Sequence, residues 1–183
     1  MAWEWIIGGL IVLIALFLIF VYNGLVRARN MVSNAWSQID VQLKKRSDLI
    51  PNLMETVKGY MKHERETLKE VTEARTKFLN AQTMGEKARA SNMMTDALKS
   101  IFAVAESYPQ LRASENFKHL QEELSDIEGK IAYARQFYND SVLEYNNSIQ
   151  VFPNSAIAAP MGFMKKEFFE ASGEERKNVK VKF

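Results

Sequence analysis

The chain has 183 residues, with 24 Lys and Arg against 22 Asp and Glu, and a formal net charge of +2. This balance argues against a dedicated nucleic-acid binder, and with no cysteine and two histidines the sequence excludes disulfide scaffolds, thiol catalysis, iron–sulfur clusters and Cys- or His-rich metal sites. Eight glycines and four prolines are too few for an all-β protein with many tight turns, so the composition predicts long helices.

The first predicted element is an apolar segment near the N-terminus. Residues 5–26 carry no charge and would span about 33 Å as a helix, against about 30 Å for a membrane hydrocarbon core. A cleaved signal peptide is the competing interpretation, but only Glu4, and no Lys or Arg, precedes this segment. We therefore expect residues 1–26 to be an uncleaved transmembrane anchor. Its predicted membrane-spanning residues, with aromatic side chains at both ends, are Trp5, Ile6, Leu10, Leu13, Phe17, Phe20 and Tyr22.

Positive charge follows this segment rather than preceding it. Arg27 and Arg29 come directly after it, and Lys44, Lys45 and Arg46 come further on. The positive-inside rule then places the N-terminus outside the cell and the C-terminal domain in the cytoplasm. A domain exported in spite of this charge signal stays open as the alternative.

An amphipathic pattern begins immediately after the anchor. Val32, Trp36, Ile39 and Leu43 recur at spacings of three and four, which predicts one helical face with Trp36 in the core. Because no proline intervenes, we expect the transmembrane helix to continue into this helix as one rod. The charged run at residues 44–46 is expected to face water.

Two further helices are predicted in the middle part of the chain. Residues 47–52 are interpreted as the first interruption, with Pro51 in the first turn of a second helix. Helical spacing then continues from Leu53 to Phe78, and we expect this helix to tolerate Gly59. A turn at residues 80–85 separates it from a third helix at about residues 86–107.

The fourth helix has the clearest pattern. Its apolar seam predicts a helix over residues 114–151, stopped by Pro153, and the seam consists of Phe117, Leu120, Leu124, Ile127, Ile131, Ala134, Tyr138, Val142, Tyr145, Ile149 and Phe152. The sequence thus predicts an all-α fold, in which the transmembrane helix is continuous with an elongated antiparallel bundle of three or four helices at residues 27–153.

Two sets of residues are candidates for a functional role. Tyr138, Asn139, Tyr145 and Asn146 form a polar ladder on the fourth helix, where buried hydroxyl groups need partners. They either fix helix register within one subunit or join two subunits. The tail at residues 154–183 is predicted to contain a short helix and a strand-like end at residues 179–183. Its candidate docking residues, against the membrane or a neighbouring subunit, are Phe163, Phe168 and Phe169.

Reactive side chains do not form a recognisable catalytic set in this sequence. His63 and Glu64 would begin a zinc motif, but position 67 is Thr where a second His is required. Glu115 and His119 are spaced by four and occur once, which is not the repeated pattern of a di-iron bundle. We therefore expect no catalytic residues, no metal and no cofactor.

Several motifs resemble those of the LemA family. They are YNGLVRARN at residues 22–30, AWSQIDVQLKKRSDLIPN at 35–52, VKGY at 57–60, ESYP at 106–109, NF at 116–117, YN at 138–139 and 145–146, and FP at 152–153. The resemblance implies a bacterial membrane protein with one N-terminal span and a long helical bundle. It implies no known reaction, and relatives in bacterial organelle membranes suggest membrane organisation.

These observations lead to one favoured function and one alternative. We expect a non-enzymatic scaffold, anchored by a single span in the bacterial cytoplasmic (inner) membrane, that assembles into a homo-oligomer and organises the membrane. The alternative is a membrane-tethered adaptor or signalling module that binds a partner protein through its helical bundle. The expected partners are the lipid bilayer and further copies of the chain, with a protein partner of unknown identity left open and nucleic acid not expected.

Overall fold

The computed structural model describes residues 2–61 and 63–169 of the chain, and regular structure within these ranges is entirely helical. The helices are α1 (Ala2–Lys58), α2 (Arg65–Asn80), α3 (Met84–Ala105), α4 (Pro109–Ala113), α5 (Glu115–Ser148) and α6 (Asn154–Ala158). The predicted all-α class is confirmed, with a long apolar N-terminal helix followed by a helical domain.

Helix α1 changes character along its length. Side chains at residues 2–20 are exposed on every side, and burial begins at Val21 and Leu25, which both lie within the range predicted for the anchor. The exposed stretch is about 28 Å long at 1.5 Å per residue. Among the described helices, α1 is the one long and apolar enough to cross a membrane.

The chain divides into two compact units, of which the first comprises residues up to Gln38 together with Ala134–Phe168. In this unit the rings of Trp36 and Tyr138 meet edge to face, with centroids 5.7 Å apart. The rings of Tyr22 and Phe163 meet in the same way at 5.9 Å. Tyr138 on α5 contacts Trp36, and Tyr145 further along α5 is close enough to Arg29, earlier in α1, for their charges to interact, so the two long helices run antiparallel here.

The second unit includes residues Ile39–Tyr133. It is a four-helix bundle formed by the end of α1, by α2 and α3, and by the start of α5. The ring of Phe102 on α3 lies against that of Phe117 on α5, with centroids 6.1 Å apart. Its core follows the predicted apolar faces and includes Ile39, Leu43, Leu53, Val57, Val71, Ala74, Met94, Leu98, Ile101, Phe117, Leu124 and Ile131.

The turn between α2 and α3 is closed by a reciprocal cap. The Thr83 hydroxyl accepts a hydrogen bond from the Glu86 amide at 3.2 Å, and the Glu86 carboxylate accepts from the Thr83 amide at 3.0 Å. This capping box satisfies amide groups that the first helical turn leaves unpaired, so it fixes where α3 begins. The hydrogen bond from the Thr83 amide lowers the pKa of the Glu86 carboxyl.

The predicted interruption at residues 47–52 is wrong, because α1 continues through Pro51. A proline inside a helix lacks the N–H that would bond to the carbonyl four residues earlier, here that of Ser47. The Arg75 side chain on α2 replaces it, with Nε donating to the Ser47 carbonyl at 3.1 Å. A tertiary hydrogen bond therefore compensates part of the local cost of the proline.

The prediction that the second helix passes through Gly59 is also wrong. Helix α1 ends at Lys58, and the amides of Tyr60 and Met61 both donate to the Val57 carbonyl, at 3.0 and 2.9 Å. Glycine is a poor helix former, and the chain turns here while the Met61 side chain is buried. One helix of this region thus ends at Lys58 and the next begins at Arg65, instead of the predicted division at residues 47–52.

The end of α5 departs from the predicted seam as well. The helix stops at Ser148, three residues before the predicted end, and Phe152 is 85% exposed instead of buried. The reason is that the chain has already left the helix when it reaches Phe152, so the helical spacing no longer determines which way that side chain points.

The tail contains the predicted short helix, which is α6. After it, Gly162 adopts a positive φ of 74°, a conformation that costs other residues strain, and turns the chain back. Residues 163–168, called the C-terminal segment below, follow without regular structure. The predicted strand-like end at residues 179–183 lies outside the described residues.

Candidate functional site

The polar ladder of α5 holds the C-terminal segment through backbone groups. Tyr138 and Tyr145 are buried, with 3% and 1% of their surfaces exposed. The Tyr138 hydroxyl donates to the Glu167 carbonyl oxygen, and the Tyr145 hydroxyl donates to the Met164 carbonyl oxygen, each at 3.0 Å. Buried hydroxyl groups need such partners, so these bonds anchor an otherwise irregular segment to a rigid helix.

Asn146 adds the most specific contact of this site. Its Nδ2 donates to the Lys166 carbonyl oxygen at 2.9 Å, and its Oδ1 accepts from the Lys166 amide at 2.8 Å. One carboxamide therefore satisfies both backbone polar groups of one residue, as a neighbouring β-strand would do. Because only backbone atoms are bonded, the pairing is set by the path of the chain and not by the Lys166 side chain.

Burial changes the acidity of the two tyrosines. It raises the pKa of Tyr138 above the ordinary value of 10.0, and the nearby Glu167 carboxylate raises it further. It also raises the pKa of Tyr145, although the Arg29 guanidinium acts in the opposite direction. Both hydroxyl groups consequently stay protonated at neutral pH and remain hydrogen-bond donors to the carbonyl oxygens.

The predicted docking residues of the tail have three different environments. Phe163 is buried, and its ring lies against Tyr22 and beneath the Arg29 guanidinium, whose central carbon is 5.2 Å from the ring centroid. This is a cation–π contact that links the C-terminal segment to α1. Phe168 is 49% exposed and Phe169 is buried. Docking of this tail on the membrane or on a second subunit stays a prediction.

The structure brings three of the four ladder residues, Tyr138, Tyr145 and Asn146, onto one segment of the same chain. Asn139 is half-buried beside them. The sequence pattern identified the ladder but missed its partner, since residues 163–168 carry no periodic signal and contribute mainly backbone atoms. Contact of the ladder with a second subunit stays a prediction.

A second polar cluster lies in the four-helix unit, around Arg46. The expectation that residues 44–46 all face water is wrong for Arg46, which is 1% exposed. Its Nη1 donates to Glu128 Oε2 at 2.5 Å and to Thr95 Oγ1 at 2.8 Å. Its Nη2 donates to the carbonyl and hydroxyl oxygens of Ser91, at 2.9 and 2.8 Å. One guanidinium thereby joins α1, α3 and α5.

Electrostatics explain why this burial is tolerated. Burial lowers the pKa of Arg46 below its ordinary value, while the charge and hydrogen bond of Glu128 act to raise it. A buried cation requires a paired anion and hydrogen-bond acceptors. Glu128 supplies the anion and acceptors fill Nη1 and Nη2, while Nε is buried without a partner. The cluster is therefore a structural junction between helices, which helical spacing alone did not reveal.

The two histidines lie at the surface. His119 is exposed and its Nδ1 is 3.8 Å from Glu123 Oε1, and His63 is exposed as well. Across residues 2–61 and 63–169, no group of three or more His, Asp or Glu side chains could hold a metal ion. The expected lack of catalytic residues and cofactors stays a prediction.

Fold and site together define a helical protein whose first helix can span a membrane and whose C-terminal segment is hydrogen-bonded to α5. The chain belongs to the LemA family, which matches residues 35–183. It is 29% identical over 165 residues to Protein LemA of Metamycoplasma hominis, covering 87% of this chain and 75% of that protein.

Two magnetosome proteins share a shorter region with the chain. Magnetosome protein MamQ of Magnetospirillum gryphiswaldense is 34% identical over 74 residues, and Magnetosome protein MamQ 2 of Paramagnetospirillum magneticum is 33% identical over 75 residues. These regions cover 40% and 41% of this chain but 27% and 28% of the two relatives. Family membership and these relatives identify a membrane-associated protein.

Proposed function

We propose that the protein is a non-enzymatic, membrane-anchored scaffold whose helical domain self-associates and organises the membrane around it. The membrane is the bacterial cytoplasmic (inner) membrane, with the N-terminus outside and the helical domain in the cytoplasm. Arg27 and Arg29, directly after the apolar stretch, support this orientation. A reporter fused after Phe183 tests it, since a cytoplasmic reporter must be active and a periplasmic one inactive.

The observation that carries the proposal is that α1 has no break between its exposed apolar stretch and its first buried residues. Burial begins at Val21 inside a continuous helix, so no flexible linker separates the anchor from the domain. A domain held in this way keeps a set height and tilt above the membrane. Confinement to one plane with a shared orientation lowers the entropy cost of association between copies, which favours lateral assembly.

The relatives support the same proposal, and two exposed side chains allow it to be tested. Leu79 and Tyr133 are 54% and 74% exposed on the four-helix unit, so each is accessible to a neighbouring copy. The partial similarity to two proteins named for the magnetosome agrees with the membrane organisation that the family resemblance implies.

A partner-binding adaptor is the second candidate, because a groove runs between α1 and α5 of the four-helix unit. Leu49 and Ile127 line it, together with charged residues that include Lys45, Glu123 and Lys130. Apolar side chains within a charged border suit an amphipathic helix of another protein.

Site-directed cross-linking in membranes distinguishes the two candidates. The chain has no cysteine, so single-cysteine variants at Leu79 and Tyr133 report contacts between copies without background. If the protein is a scaffold, disulfide-linked dimers should form at one of these two positions and not at an exposed control, Lys44→Cys. Equal, weak cross-linking at all three positions would indicate random collision and would contradict the scaffold. A photo-cross-linker at Leu49 that captures one foreign protein would favour the adaptor.

The non-enzymatic part of the proposal has a separate test. Purified full-length protein is analysed for metals by elemental analysis and for cofactors by mass spectrometry after denaturation. We expect neither in stoichiometric amount, and a stoichiometric metal or cofactor would contradict this part.

A further inference from the structure

The first unit carries an exposed apolar surface at the end of α5. Its four side chains, called the apolar turn below, are Val151, Phe152, Met161 and Met164, which are 54%, 85%, 59% and 77% exposed. Phe152 is among the most exposed large apolar side chains of the described chain. Exposure of such a cluster to water is unfavourable, so we expect another apolar surface to cover it. The position of the cluster in the molecule determines what that surface is.

Helix register places the apolar turn beside the end of the membrane-length stretch. Trp36 contacts Tyr138, and α1 and α5 run antiparallel from this point. Two turns further along α5 and two turns back along α1 bring Tyr145 level with Arg29. Helix α5 ends at Ser148, ten residues after Tyr138, which is level with about residue 26 of α1. Phe152 follows four residues beyond this end, on the side of Tyr22. Phe163, beside Met164, contacts both Tyr22 and Arg29, which fixes the end of the unit at this height.

This height coincides with the point where α1 becomes buried. Residues 2–20 form the stretch exposed on all sides, and Val21 is the first buried residue. If residues 2–20 fill the hydrocarbon core, Tyr22 and the apolar turn both lie at the boundary between acyl chains and headgroups.

Charge distribution agrees with this placement. Residues 145–164 contain no Asp, Glu, Lys or Arg, in a chain whose composition is 25% charged. The neighbouring stretch of α1, residues 5–26, is also uncharged. Arg27, Lys165 and Lys166 are exposed beside the two stretches, where they can meet lipid phosphates. Glu144 and Glu167 are exposed there too, so the border is mixed with a basic excess. An uncharged surface between charged residues suits a segment that lies in a membrane interface.

We propose that the apolar turn inserts into the headgroup–acyl boundary of the leaflet from which α1 emerges, as a second lipid contact beside the span. The occupant of this surface is lipid, because the surface is continuous with the membrane-length stretch. Val151 and Phe152 form the deepest part of the contact. The contact fixes the rotation of α1 about its axis, which a single span alone leaves free. The inference depends on membrane anchoring and not on self-association.

The test uses the full chain in vesicles of phosphatidylcholine and phosphatidylglycerol. Single-cysteine variants carry a fluorophore sensitive to polarity, at Phe152→Cys, at the control Gln136→Cys on the same helix, and at Leu13→Cys within the span. Lipids with a nitroxide near the headgroup end of the acyl chain quench probes at the interface, and lipids with a deep nitroxide quench the span probe. Circular dichroism of each variant confirms that the helices are intact.

We expect the probe at position 152 to emit at shorter wavelength and to lose most of its fluorescence to the shallow nitroxide. The Gln136 probe should lose little, because position 136 lies about 18 Å back along α5 from the end of the helix at Ser148. Quenching at position 13 but not at 152 would overturn the proposal and leave the anchor intact. A blue shift at 152 without quenching would also overturn it, in favour of cover by another copy. No quenching at either position would contradict the anchor as well.

Discussion

The carboxamide of Asn146 bonds to both backbone polar groups of Lys166, donating to its carbonyl oxygen at 2.9 Å and accepting from its amide at 2.8 Å. This pairing, with the two tyrosine hydroxyl groups on either side, makes the C-terminal segment part of the helical unit that adjoins the membrane-length stretch.

Replacing Asn146 by alanine should release the C-terminal segment. The change removes two hydrogen bonds and leaves the backbone groups of Lys166 without them, at a cost of about 1–3 kcal/mol. Hydrogen–deuterium exchange should become faster at residues 163–168, while exchange in the four-helix unit stays unchanged. The matched control is Asn147→Ala, at an exposed neighbouring position. Unchanged exchange in the Asn146 variant would show that the pairing does not hold the segment.

Alkaline pH should weaken the same contact. Burial raises the pKa of Tyr138 and of Tyr145 in the folded protein above the ordinary 10.0. A raised folded pKa contributes stability that is fully present below about pH 10 and is lost as pH rises through the folded values. The free energy of unfolding should therefore fall above pH 10, as followed by circular dichroism in denaturant.

Tyrosinate absorbance identifies the groups responsible. The double variant Tyr138→Phe, Tyr145→Phe should lose its share of the late-titrating absorbance change, and Tyr108, whose pKa is also raised, should keep the rest. If the double variant instead loses absorbance change near the ordinary tyrosine pKa, the pKa values of the two hydroxyl groups are not raised as described.

Arg46→Met should destabilise the four-helix unit by about 3 kcal/mol. It removes four hydrogen bonds from a buried guanidinium and separates Glu128 from its cation. The value lies at the lower end of the range for buried pairs because the Glu128 side chain is 37% exposed. Thermal unfolding of the full chain in detergent measures the effect. The exposed neighbour gives the control, since Lys45→Met should change stability by less than about 0.5 kcal/mol. Equal effects of the two substitutions would refute the junction role.

Pro51 and Arg75 should be energetically coupled. In the native chain, Arg75→Met leaves the Ser47 carbonyl without its donor and should cost about 1 kcal/mol. In a Pro51→Ala background the residue 51 amide can bond to that carbonyl, so the same substitution should cost less. A double-mutant cycle measures the difference. An Arg75→Met cost that is the same in both backgrounds would mean that Arg75 does not compensate for the proline.

Helical spacing predicted the buried faces well where side-chain packing decides the structure. Val32, Ile39 and Leu43 are all nearly fully buried, and so is most of the α5 seam. Each position follows from a period of 3.6 residues and needs no knowledge of the rest of the chain. The all-α class of the fold was predictable for the same reason.

The errors occurred where distant residues decide the local structure. The sequence indicates a helix start at Pro51. Its place inside α1 is explained by the hydrogen bond from Arg75 to the Ser47 carbonyl, which the sequence does not reveal. Arg46 lies in a run of cations that looks solvent-facing, and its burial depends on Glu128 and Ser91 on other helices. The C-terminal segment is bonded to α5 through its backbone, so apart from Phe163, which contacts α1, its side chains carry no signal of the contact.

If copies of the anchored chain assemble side by side, the mass and shape of the extracted protein must show it. The mass of full-length protein in a mild detergent is measured by light scattering, and its shape by negative-stain microscopy. We expect regular assemblies many times the 21.0 kDa mass of one chain. Single rods with the mass of one chain at high protein density would contradict it.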